Sequence, residues 1–230
     1  MVTLYVVVEG QTEQTFVDTV LGPHMLSRGI VAHAPLVQRR RGGVIYRGGV
    51  TSFPPVANTI RNLTRQHSRP GVYFSSMLDL YKYPTDAPGW DDAKVLSPPR
   101  RRAEQLETAL AGHISDQRFI PYIQVHEFEA LLFTDPAWLE FSFPTQKHAV
   151  DTLVLVAAQF ATPEDINDSE QTAPSKRIIA AIPDYDYRKP TAGPQTAELI
   201  GLPAIRAKCP HFNAWVEKLE LLAAPTTSQA

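Results

Sequence analysis

The chain has 230 residues, a formal net charge of -2 and 43% hydrophobic residues, a size that allows one large domain, or one domain with an elaborated second half, and a proper core. The near-neutral charge provides no global field to draw in nucleic acid or membrane, so an anionic substrate has to be met by local patches. The single cysteine, Cys209, excludes an internal disulfide and fits a reducing cytoplasm.

Cys209 lies two residues from His211, but two ligands do not make a zinc site, which leaves the cysteine a structural role. No apolar run approaches the ~20 residues a membrane helix needs. The N-terminus reads as a strand, not as a charged leader followed by an apolar segment. No internal repeat is visible.

Val2 to Val8 is an almost unbroken apolar, β-branched run, the pattern of a strand buried on both faces of a parallel sheet. It ends at Glu9-Gly10. Gly10 allows a tight turn, and Thr12 can cap a helix starting at Glu13. Glu9 then stands at the carboxyl end of a central strand, where open α/β sheets bind ligands. A carboxylate there costs desolvation unless something pairs with it; the alternative is a loop glutamate facing water.

Thr12 to Gly29 reads as one helix with a break or kink expected at Gly22-Pro23, and Ile30 to Val37 as a second strand. Residues 38 to 50, QRRRGGVIYRGGV, read as a basic, glycine-rich loop. For Arg39, Arg40 and Arg41 a solvated charge run is preferred over a flexible arm touching phosphates. A helix over roughly Pro55 to His67 follows, then the apolar run Val72 to Leu78, which again runs into an acid, Asp79. Two strands of a parallel sheet therefore deliver carboxylates to the same edge. Two such acids repel unless a cation sits between them or one stays protonated.

Ser97 to Ile114 reads as a helix whose first turn carries Arg100, Arg101 and Arg102 against the helix dipole. An anionic partner would relieve that cluster, although an exposed helix end is the simpler reading. Phe119 to Val125 reads as a fourth strand running into HEFEALLF, residues 126 to 133. If a helix begins near His126, Glu129 shares a face with His126 and Phe133; if the strand continues, Glu127 and Glu129 share one. Beyond Asp135 a helix is expected over Ala149 to Ala161 and another over Asn213 to Leu222. Loops are expected over 163 to 177 and over Tyr185 to Pro194, and the tail APTTSQA should fray. The alternation argues an α/β fold, a mostly parallel sheet flanked by helices on both faces, followed by a helical part. The expected division is a core over 1–134 and a helical, loop-rich extension over 135–230 packed on it.

Five segments carry a family resemblance: VEGQTEQTF (8–16), MLDLYKYPTDAPG (77–89), HEFEALLF (126–133), PEDINDSEQTAPSKR (163–177) and CPHFNAW (209–215). Together they resemble an uncharacterised bacterial Toprim-like family, distantly similar to the overcoming-lysogenization-defect nucleases and to the topoisomerase–primase domain. The resemblance implies a Toprim-like, Rossmann-like sheet whose Glu and Asp-x-Asp acids hold Mg2+, with Mn2+ as a substitute. Glu9 matches the glutamate and Asp79 the first aspartate, while Tyr81 stands where the second is expected. Glu129 or Glu127 is then the candidate for the missing ligand. Glu9 or Glu13 could handle a proton, and Lys176 or Arg177 could neutralise a phosphate. The implied activity is metal-dependent hydrolysis of DNA or RNA in an anti-phage defence system, with an ATPase partner, in the cytoplasm, with oligomerisation left open. The alternatives are a Toprim-shaped module that binds its ATPase without chemistry, and a phosphotransferase or small-nucleotide hydrolase.

Overall fold

The computed structural model describes residues 1–41, 44–166 and 171–223, and only the backbone at 40, 41, 44 and 45. The expectations for the side chains of Arg40 and Arg41, for 167–170 and for the tail 224–230 lie outside the described residues.

Strand β1, Val2–Val8, leads through Glu9-Gly10 into α1, Gln11–Phe16. The helix does not wait for Thr12. Gly10 is its N-cap, and Glu13 reaches back so that its Oε2 accepts the Gly10 N–H at 2.8 Å. Gly22-Pro23 does not break the path either. A π turn over Val17–Leu21 carries it into α2, Gly22–Leu26, with the Gly22 N–H bonded to the Val17 carbonyl. A Cβ at Gly22 would lie 2.8 Å from that oxygen, so only glycine fits.

Strand β2, Ile30–His33, is shorter than expected, and Pro35 follows before Leu36 rejoins β1 through one bridge to Val8. The expected loop over 38 to 50 contains a hairpin instead. Strands β3, Gln38–Arg41, and β4, Val44–Arg47, pair antiparallel as a separate two-stranded sheet. The β-prone Val44, Ile45 and Tyr46 outweigh the basic, glycine-rich composition. Helix α3, Phe53–Gln66, leads to β5, Val72–Asp79, then α4, Trp90–Ala93, and α5, Pro99–Ile114.

The expected strand Phe119–Val125 is split into β6, Phe119–Ile120, and β7, Ile123–Gln124, both parallel to β5. Pro121 has no N–H for the ladder. Ser76 patches the gap: its hydroxyl accepts the Tyr122 N–H at 3.0 Å and donates to the Tyr122 carbonyl at 3.1 Å. Beyond lie a 3-10 segment, Phe128–Thr134, and helices α6, Leu139–Ser142, α7, Lys147–Ala157, α8, Pro174–Ala181, α9, Tyr185–Ile200, α10, Leu202–Lys208, and α11, Pro210–Glu220. Helix α9 overturns the loop expected over Tyr185 to Pro194. It runs through Pro190 and Pro194, and buries Ala192, Gly193 and Pro194, so packing overrides the breaker signal.

The main sheet has the order β2-β1-β5-β6, with β7 continuing beside β5, and every pairing in it is parallel. Alternate side chains of β1 enter two cores, as a pleated strand requires. Leu4, Val6 and Val8 face one with Phe16, Phe128, Tyr185 and Trp215; Val7 faces the other with Val56, Phe74 and Leu106. The sheet is thus sealed on both faces, and the α/β class expected from the alternation holds.

Candidate active site at the carboxyl edge of the sheet

Because β1, β5 and β7 are parallel, their chain directions bring their last residues to one edge. Val8 pairs with Met77 and Asp79 pairs with Gln124, so Glu9, Asp79 and the acids of the Glu127-Phe128-Glu129 segment leave the sheet together. The ladder continues past the strands: Leu80 N donates to Gln124 O at 3.0 Å and Tyr81 N to His126 O at 2.6 Å. His126 takes φ 64 to turn the chain, and its Nε2 lies 3.0 Å from the Glu164 carbonyl, the packed, hydrogen-bonded histidine expected of it. Glu13 joins from α1. Neither conformation considered for 126–133 occurs, since the 3-10 segment is buried along its whole length.

Glu9 and Asp79 keep partial contact with solvent, while Glu13, Glu127 and Glu129 are 6%, 6% and 4% exposed. The five acids feel one another. Burial pushes the Glu9 carboxyl up to about 7, against hydrogen bonding from the backbones of Asp79 and Val50, and Glu127 adds repulsion. Burial likewise raises Glu13 to about 7, with Glu129 and Glu9 contributing. Asp79 rises well above the carboxylate range through burial and then the charges of Glu13, Glu9, Glu127 and Glu129. Glu127 is raised by burial and by Glu129, against the hydrogen bonds of Ser175 and the charge of Lys189.

Each buried acid has a bond that fixes it. The Phe128 N–H donates to Asp79 Oδ1 at 3.0 Å and the Ser175 N–H to Glu127 Oε1 at 2.6 Å. Glu129 Oε1 accepts the Tyr185 hydroxyl at 3.3 Å and pairs with Lys189 Nζ at 3.2 Å. Among the described residues Lys189 is the one cation in a salt bridge to the five. Burial opposes its charge, but Glu129 and Glu127 outweigh that, and its pKa lies above the usual lysine value.

Lys176, for which sequence reasoning expects contact with a phosphate, is exposed, and it is its neighbour Ser175 that touches the cluster, through the backbone. Arg177 turns away: its Nε donates to the Thr172 carbonyl at 2.8 Å and its guanidinium stacks over Phe160. Tyr185, Lys189 and Ser175 escape sequence reasoning. The i, i+4 spacing of Tyr185 and Lys189 marks one helix face, but only once the segment is read as a helix. The Arg100 to Arg102 cluster is partly spoken for: Arg100 pairs with Glu104 at 2.9 Å and Arg102 donates to the Leu96 carbonyl at 3.4 Å.

Among the described residues no three His, Cys, Asp or Glu side chains already form a cation cage. The donor set nevertheless suits Mg2+, which takes oxygen ligands and is held by one or two carboxylates with several waters. Glu9 and Asp79 are the partly exposed pair, and Asp79 has Oδ2 left over after Oδ1 accepts the Phe128 N–H.

A family model described as "Domain of unknown function (DUF4276)" matches residues 8–220. The chain belongs to that family. All five acids of the edge fall inside the matched span, as do Ser175, Tyr185 and Lys189. No match is found among curated proteins. Among solved structures, the C-terminal region of the Xanthomonas campestris pv. campestris OLD protein is similar over 96% of this chain and 95% of that one, at 13% identity and a TM-score of 0.45. At that level the similarity adds nothing to the sheet topology described above. Among the described residues no helix of this family member is long and apolar enough to cross a membrane.

Proposed function

We propose that this protein is a metal-dependent phosphodiester hydrolase, a nuclease of Toprim type. The observation that carries the reading is the convergence of Glu9, Asp79, Glu127 and Glu129 from parallel strand ends, with Glu13, into one mutually repelling group. A purely structural site would balance a group of buried acids with cations of its own. This one gives its acids single hydrogen-bond donors but only one salt-bridged lysine for five carboxylates among the described residues.

Glu9 and Asp79 would hold Mg2+, with Glu127 or Glu129 nearby where Tyr81 replaces the second aspartate of the Toprim pattern. Bound there, the ion would offset phosphate charge and make the attacking water more acidic. Glu13, raised to about 7, would take a proton at its carboxylate near neutral pH. Lys189 holds Glu129 in a fixed position, and Lys176, exposed one residue beyond Ser175, is free to meet an incoming phosphate as a point charge. Water reaches the site beside Glu9 and Asp79, while Phe128 and Tyr185 close its inner side.

The same proposal includes an ATPase partner and a place in bacterial anti-phage defence, both implied by the resemblance. The near-neutral chain, whose arginine clusters at 39–41 and 100–102 are short, supports a grip on nucleic acid that a partner completes. A second reading is favoured by Tyr81 and by the absence, among the described residues, of a preformed three-ligand cage: a Toprim-shaped module that binds the ATPase and performs no chemistry.

Titration calorimetry with Mn2+ separates the two. The hydrolase binds the ion, Glu9→Ala loses that binding, and labelled DNA or RNA is cut only with the divalent ion present. Asp79→Asn should reduce cleavage more than about 100-fold, since even changes one shell beyond a metal ligand cost 10–100-fold. A wild-type chain that takes up no divalent ion and cuts neither polymer establishes the module instead.

A further inference from the structure

A concavity of about 480 Å3 lies between the β3–β4 hairpin and α3. Gln38, Arg39, Asn58, Thr59 and Asn62 line it together with two prolines, and among the described residues no carboxylate does. Its walls are tied together: the Thr59 hydroxyl accepts the Gln38 N–H at 3.0 Å and donates to the Pro55 carbonyl at 2.8 Å. Arg39 is half-buried within it, and its Nε is shut off from solvent with no hydrogen-bond partner among the described residues. A buried guanidinium nitrogen without an acceptor is costly. Asn58 and Asn62, one helical turn apart, stand exposed along the same wall. A positive charge with amide donors beside it and, among the described residues, no competing acid is the chemistry that receives a phosphate, and the planar guanidinium suits it best.

The concavity is joined to the acids by one short stretch of backbone. The Gly49 N–H bonds the Glu9 carbonyl at 2.9 Å. A Cβ on Gly48 would stand 3.3 Å from that same oxygen, and one on Gly49 would stand 3.5 Å from an Arg39 Nη. The glycine pair therefore touches both Glu9 and Arg39. We propose that the Arg39 concavity is a phosphate subsite for the nucleic-acid strand whose scissile group sits at the acids, and that it receives a phosphate flanking the one that is cut. The inference rests on the nuclease reading, since it names how that site holds its substrate. It also separates Arg39 from the rest of the arginine run, for which a solvated charge is the sequence-based expectation.

The test is read by binding, in the Asp79→Asn background, so that cleavage does not enter. The anisotropy of a labelled single-stranded oligonucleotide is followed across a salt series. Arg39→Gln should weaken binding roughly tenfold and lower the slope of log K against log salt by about 0.7, the value for one phosphate of a single strand that is no longer neutralised. Arg39→Lys should recover part of the affinity. Asn62→Asp places a carboxylate at an exposed position, where substitutions usually leave stability nearly unchanged, and it should weaken binding as Arg39→Gln does. Unchanged affinity and slope in both Arg39→Gln and Asn62→Asp overturn the proposal. Inorganic phosphate that competes at Arg39, with no effect of Arg39→Gln on the oligonucleotide, also overturns it, because the pocket then serves a free anion. A wild-type chain that cuts nothing sinks the nuclease reading but leaves Arg39-dependent strand binding standing. An active chain whose binding ignores Arg39 removes the subsite alone.

Discussion

Two groups of buried acids lie in this molecule, and they are treated differently. At the carboxyl edge, Glu9, Glu13, Asp79, Glu127 and Glu129 repel one another around the one lysine that is salt-bridged to them among the described residues. Under α11, Glu164 and Glu107 are surrounded by donors. Glu164 accepts the His211 and Phe212 N–H groups at 2.9 Å each, and Glu107 Oε1 takes the Ile123 N–H at 2.8 Å and the His211 Nε2 at 2.9 Å. His211, stacked on Tyr122, has its pKa raised: burial opposes its charge, but Glu107 and Glu164 prevail. Burial alone therefore does not mark a site. The second group is cross-linking that anchors the start of α11 to the sheet, whereas the first keeps a mutual repulsion that its single donors and one lysine, among the described residues, do not cancel.

The largest expected effect breaks the two apart by stability. Glu164→Ala leaves two buried N–H groups without acceptors and should cost roughly 2–6 kcal/mol, at about 1–3 per unsatisfied group. Asp79→Asn keeps an oxygen for the Phe128 N–H and removes repulsion, so the metal-free protein should be as stable as wild type or more so. Urea unfolding in the presence of a chelator measures both. A loss of stability in Asp79→Asn comparable to that in Glu164→Ala would make the edge acids structural.

The pH dependence comes next in size. Glu9 and Glu13, raised to about 7, and Asp79, raised well above its ordinary range, hold protons in the native state where the unfolded chain has released them. The native state binds more protons above the ordinary carboxylate range, so metal-free stability is highest below that range and falls as pH rises through about 7. Melting in a chelator should drop by roughly 5 °C between pH 5.5 and 8. Asp79→Asn should flatten the drop, and Mg2+ should remove most of it. His211 contributes in the same direction, since a raised histidine also loses its stabilisation as pH rises, which is why the difference between wild type and Asp79→Asn is the quantity to read.

How far the edge was legible follows from these same residues. Glu9 and Asp79 could be read because each ends an apolar run abruptly, and parallel strands leave one edge for such ends to share. Glu127 and Glu129 could be named but not shaped, because Pro121 splits the strand before them and His126 reverses the chain at φ 64. The hairpin that carries Arg39 was hidden by its glycines. Helix α9 was hidden by Pro190, Gly193 and Pro194, which imitate a loop. What makes it a helix is tertiary: a Cβ on Gly193 would stand 2.9 Å from the Tyr185 hydroxyl, 3.2 Å from Phe128 and 3.5 Å from Thr12. Glycine is what lets α9 close on α1 and the 3-10 segment, and no local pattern encodes that approach. Lys176 draws attention as the visible cation of the SKR stretch, while Lys189, four residues beyond Tyr185, is lost with its helix.

Lys189 is the test of smallest expected size, and it addresses whether the edge is poised or merely crowded. Its Nζ is 3.2 Å from Glu129, whose side chain is almost wholly buried, and its charge lowers the pKa of Glu127. Lys189→Met keeps the stem that packs against the site and removes only the charge. The remaining carboxylates then ionise less readily, so the acid limb of the cleavage profile should move to higher pH. The shift should be roughly half a unit, about a threefold loss on the limb, since one full unit corresponds to about 1.36 kcal/mol. At pH values above the limb the rate should return to nearly the wild-type level, and Lys189→Arg should restore the original position. A lysine that only props up α9 gives another signature: a uniform loss at every pH, a lower melting temperature and no movement of the limb. The two outcomes separate along the pH axis, so the measurement does not depend on the absolute rate of either protein.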